Sequence, residues 1–79
     1  MLQIVQITYD ASGEMKRREA FPFLFPDRDT AALFLETHLE TEFMDGRSGY
    51  EREDDRWWGC DDKPDVHIHQ YAITPQYAS

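Results

Sequence analysis

His67, Ile68 and His69 set two imidazoles two residues apart, and on an extended chain such a pair projects from one face, where both rings can converge on one metal ion. Cys60, the only cysteine, sits at the turn end of the same stretch, with Asp61, Asp62 and Asp65 nearby as oxygen donors. Zinc is the ion that Cys60, His67 and His69 would suit. A structural zinc site usually shows paired Cys or His clusters at both ends of its motif, however, and here only one end carries a pair. The first reading of these histidines is therefore that of partly buried polar aromatics on a packed face, with no cofactor.

Cys60 and His67 also invite a nucleophile and base. Asp61 and Asp62 argue against it, because adjacent carboxylates raise a thiol's pKa and deplete the thiolate that must attack. The chain shows no Gly-rich phosphate loop, no His-Glu-x-x-His and no Gly-x-Ser-x-Gly, so the expectation is a non-enzyme. Trp57 and Trp58 could stack on a base or a sugar, but neighbours on a strand point to opposite faces. One indole is expected in the core and the other on a partner-facing or exposed side.

These residues need a hairpin to hold them, and the stretch from Arg56 to Ile73 reads as one: two apolar or aromatic segments flank Gly59-Cys60-Asp61-Asp62-Lys63-Pro64-Asp65. In its second strand Val66, Ile68 and Ala72 alternate with His67, His69, Tyr71 and Ile73. A register with Gly59 facing Asp65 would set Trp57 opposite His67 and Asp55 opposite His69.

Upstream, Leu2 to Asp10 alternates β-branched and aromatic residues like a central strand. Asp10-Ala11-Ser12-Gly13 has turn chemistry, with an Asp able to bond its own backbone and a Gly free to take positive φ. The return strand, Glu14 to Phe25, contains Pro22, which cannot donate to a ladder and so places this strand at an edge or gives it a bulge. A helix is predicted just after Pro26, with Asp27 or Asp29 as N-cap, a buried stripe of Ala31, Phe34, Leu35, His38, Leu39 and Phe43, and Gly46 as the stop. Tyr50 to Trp58 is predicted as a third strand, and its charges on both faces assign it to the other edge. The last strand runs from Asp65 to Thr74.

The expected fold is therefore α+β: one two-layer ββαββ domain over residues 1–79, a four-stranded sheet in the order 2-1-4-3 with one helix on one face. A chain this short buries a small core. Its sixteen acidic and eight basic side chains give a net charge of -8, which repels phosphate backbones and argues against direct nucleic-acid binding. No segment is long and apolar enough to span a bilayer, and a single cysteine excludes an intrachain disulfide, so the expected address is cytoplasmic.

Apolar side chains on both faces of the two middle strands outnumber what one helix can cover. The leading expectation is a small acidic interaction protein that forms a homodimer, or docks a larger protein, through the sheet face opposite its helix. The surface residues expected there are Trp57, His67, His69 and Tyr71. The alternatives are a metal- or small-ligand-binding protein using Cys60, His67 and His69, and an acidic inhibitor imitating DNA toward a basic protein.

Overall fold

A computed structural model describes residues 1–43, 47–60 and 67–76. They build β1 (Leu2–Tyr9), β2 (Met15–Phe25), α1 (Arg28–Glu42), β3 (Arg47–Glu51), β4 (Arg56–Cys60) and β5 (Ile68–Pro75). The strands form one antiparallel sheet in the order β2-β1-β5-β4-β3, and α1 packs on one face of it. The α+β class and the single helix on an antiparallel sheet agree with expectation. The sheet, however, has five strands rather than four.

The extra strand comes from the charged run. Residues 52–55 form a turn instead of continuing a strand, so the segment expected as one edge strand is a short hairpin of β3 and β4, closed by the pair Glu51 and Arg56. Consecutive charges satisfy themselves better in a solvated turn than on either face of a strand. Asp55 takes φ +52°, a left-handed conformation that Asp tolerates better than most residues. The strands that carry most apolar weight, β1 and β5, pair at the centre as expected.

Local chemistry explains the remaining boundaries. Asp10 Oδ1 accepts from the backbone N–H groups of Ser12 (2.9 Å) and Glu14 (3.0 Å) and from the Ser12 hydroxyl (2.6 Å), while Gly13 sits at φ +88°. These bonds turn the chain from β1 into β2. Asp27 caps α1 by accepting the Thr30 N–H at 2.8 Å, and the helix closes on Phe43 as C-cap. Gly46, the expected stop, lies outside the described residues. The strand β2 lies at the sheet edge, and its register shifts opposite the segment between Gln3 and Val5, close to Pro22. Phe21, Phe23 and Phe25 all reach Phe34 of the helix, with ring centroids 6.1, 5.6 and 5.3 Å away.

The hairpin register differs from the expected one. Gly59 faces His69 rather than Asp65, and Trp57 faces Tyr71 rather than His67, so the described ladder is shifted by four residues from the expected one. The slip is even, so Trp57, His69 and Tyr71 still share a face. That face is the covered one. Ile4, Leu35 and Tyr71 are buried to 0, 0 and 1% exposure, and Phe25, Ala31, Leu39, Phe43 and Trp57 complete the core between sheet and helix.

The Asp10 turn gives a pH prediction. Chiefly the Ser12 hydroxyl, with the N–H groups of Glu14 and Ser12 and the Lys16 ammonium, holds the Asp10 carboxyl below the ordinary 3.8, at about 2. A depressed carboxyl contributes stability that is complete above pH 4 and is lost as pH falls toward 2. Acid titration of thermal stability should therefore show a steeper loss between pH 4 and 2 for the native chain than for Asp10→Asn. Parallel curves would show that the turn contributes nothing through that charge.

Candidate functional site

Alternation assigns each strand residue to a face, and the core contacts say which face lies under α1. The helix-covered side carries Ile4, Gln6 and Thr8 of β1, Trp57 and Gly59 of β4, and His69, Tyr71 and Ile73 of β5. Gln6 Nε2 and Thr8 Oγ1 each lie 3.0 Å from His69 Nδ1, and the Phe43 ring stacks obliquely 5.6 Å from the imidazole. His38, on the helix, packs against Phe21 and Tyr71 at 5.3 and 5.8 Å. A cleft on this side is lined by Gln6, His38, Glu42, His69 and Tyr71 between the rings of Phe21 and Phe43.

The structure divides the metal trio. His69 lies on the helix side, whereas Cys60, paired with Ile68, projects from the opposite face, and His67 precedes β5. Among the described residues no three His, Cys, Asp or Glu side chains gather closely enough to hold a metal ion. Asp61, Asp62 and Asp65 lie outside the described residues. Two of the residues expected on the open face, Trp57 and Tyr71, are instead core residues, 4 and 1% exposed, and His69 shares their side.

A second cluster ties the helix N-terminus to the β3–β4 hairpin. Arg28 pairs with Asp55 and donates to the Tyr50 oxygen (3.2 Å), and the Tyr50 hydroxyl donates to Asp55 Oδ1 (2.6 Å). The guanidinium of Arg28 also lies 5.4 Å from the centre of the Trp57 ring. Tyr50 and Arg28 hold the Asp55 carboxyl below its usual range, while the neighbouring carboxylate raises the Tyr50 phenol. A raised phenol is a poor nucleophile, so this is a clasp rather than a reactive centre. Sequence reasoning missed it because Asp55 was assigned to a strand instead of a turn.

The face away from α1 can be laid out from the register. One row runs Met15, Tyr9, Ile68, Cys60, Arg47, and the next Arg18, Ile7, Gln70, Trp58, Gly49. A third holds Ala20, Val5 and Ala72, flanked by Arg56 and Glu51, and a fourth Leu24, Gln3 and Thr74. Its two central strands carry no charge. Trp58 lies across Gly49, where an added Cβ would come within 3.1 Å of Nε1 and Cζ2 and 3.2 Å of Cε2. Beside that indole is a groove lined by Glu51, Asp54, Arg56, Trp58, Ile68 and Gln70, in which Arg56 donates to Gln70 Oε1 at 3.2 Å. The alternation of Val5, Ile7 and Tyr9 was legible in the sequence, but not which side the helix would leave open.

The carboxylates of the acidic series do not form one stripe among the described residues: Glu51 and Asp54 border the open-face groove, and Asp55 turns to Arg28. No helix is long and apolar enough to cross a membrane among the described residues. No family model, curated protein or solved structure matches the chain.

Proposed function

We propose that this chain is a non-enzymatic interaction protein that pairs with a second copy through the sheet face opposite α1. The observation that carries the reading is the uncharged centre of that face: around Val5, itself only 5% exposed, the half-buried Ile7, Tyr9, Ala72 and Trp58 and the exposed Ile68 lie side by side in a chain whose net charge is -8. A contiguous apolar field of this kind favours a covered state. Among the described residues, acidic side chains, which would repel a second copy, lie mainly on α1 and in the turns, and only Glu51 stands among the paired residues of the open face.

Size sets the strength. Five strands about 4.8 Å apart, each rising about 3.3 Å per residue, offer roughly 500 to 600 Å² per copy. Two such faces bury roughly 1,000 to 1,200 Å² together, at the lower limit for a specific interface. The expected dimer is therefore weak. Sedimentation equilibrium from about 1 µM to about 1 mM should give a monomer–dimer equilibrium with a micromolar midpoint. Ile7→Lys, which puts a charge at the centre of the face, should leave the far-UV spectrum unchanged and the chain monomeric. A native chain that stays monomeric throughout the range removes the reading.

A further inference from the structure

The groove beside Trp58 has the chemistry of a guanidinium receptor. It offers the face of an indole for a delocalised cation to stack on, and two carboxylates, Glu51 and Asp54, at its edge. Arg56, the cation among the described residues of the groove, faces Glu51 across the hairpin yet donates to Gln70, and Glu51 makes no ion pair among the described residues. Arg18, at the other edge of the same face, makes none among the described residues either. Opposite charges that form no ion pair among the described residues thus stand on opposite edges of one surface.

We propose that this groove receives Arg18 of a second copy, twice in each dimer; the proposal rests on self-association through the open face. Symmetry and register decide the placement. The strand β5 is the middle one of five, so a twofold axis running along it between two stacked sheets lays β2 of each copy over β3 of the other, and β1 over β4. A rotation about that axis keeps every residue in its own row. Arg18 and Gly49 end the same row, and the Trp58 ring lies across Gly49, so Arg18 of one copy arrives over the Trp58 indole of the other with Glu51 in the adjacent row. Ile7 then meets Trp58, while Gln70 meets its own copy. The alternative axis, across the strands, stacks β2 on β2 and brings Arg18 toward Arg18. Like charges facing each other across an interface are costly, so charge selects the first axis.

The test is an exchange of charge read as the dimer dissociation constant. Arg18→Glu and Glu51→Arg should each weaken the dimer at least about tenfold, and the two together should restore it to within about threefold of the native value. Both residues are exposed, and unchanged thermal unfolding of each variant confirms that the fold survives. Arg18→Gln and Glu51→Gln give a milder, salt-insensitive loss that needs no reversed charge. The indole emission should also shift to the red on dilution, as the outer side of Trp58 becomes wet. A dimer whose constant ignores both single reversals, or whose double variant is as weak as the worse single one, overturns the Arg18 contact and leaves self-association standing. A native monomer overturns both.

Discussion

Trp57→Ala is expected to unfold the domain, whereas Trp58→Ala should leave it folded and weaken only its association. Trp57 is 4% exposed, in the core beneath α1, and its ring lies 4.5 Å from that of Tyr50 and under the Arg28 guanidinium. Removing such a side chain costs about 3–5 kcal/mol, because the lost contacts are joined by an unfilled cavity. A domain of this size has a total stability of roughly 4–12 kcal/mol, so the loss takes much or all of it. The change also frees the clasp of Arg28, Tyr50 and Asp55 that holds the β3–β4 hairpin to the helix. Trp58, half-buried on the other face, lies across Gly49 and is not among the buried core residues. Urea unfolding followed by far-UV circular dichroism separates the two variants. If Trp57→Ala unfolds at the native midpoint, the indole is not part of the core.

Patterns set by local chemistry were legible without coordinates. The Asp10 turn, the Asp27 cap, the helical stripe and the edge position of the proline-bearing strand each depend on a few neighbouring residues, and each stands as expected. What failed depended on long-range choices. The charged segment 51–55 has strand-like neighbours on both sides, and the reach of Arg28 and Tyr50 to Asp55, remote in sequence from Arg28, helps to hold the left-handed turn within it. The face of β5 was misassigned because His69 and Tyr71 are polar-tipped aromatics that suit either a wet interface or a packed layer. Gln6 and Thr8 beside His69, and the Phe21 and His38 rings beside Tyr71, account for the inward choice. None of those partners is close in sequence. The residues of the open face are consequently Ile7, Tyr9, Ile68 and Trp58 rather than Trp57, His69 and Tyr71.

The same long-range packing makes Gly59→Ala a severe change at a position where an exposed hairpin would tolerate it easily. Gly59 points under the C-terminal end of α1, and a Cβ built there would lie 2.6 Å from Phe43 Cζ and nearer still to two other ring carbons. The ring has no room to retreat, since Phe43 is 7% exposed, caps the helix and lies against the His69 imidazole. Either the helix end lifts or β4 bends away from it, at a cost of about 1–3 kcal/mol for one added methyl group. Phe43→Leu alone should be destabilising by a similar amount, through loss of ring contacts. The double variant should be less destabilised than the sum of the two, because the smaller side chain makes the space that the added methyl occupies. Additive losses in urea unfolding would mean that Gly59 does not meet the Phe43 ring and that α1 does not close over β4 as described. A Gly59→Ala chain as stable as the native one would mean the same. The absence of a side chain at Gly59 thus lets the helix seat Phe43 against β4 and β5, which keeps His69 and Trp57 inside and leaves Trp58 to the open face.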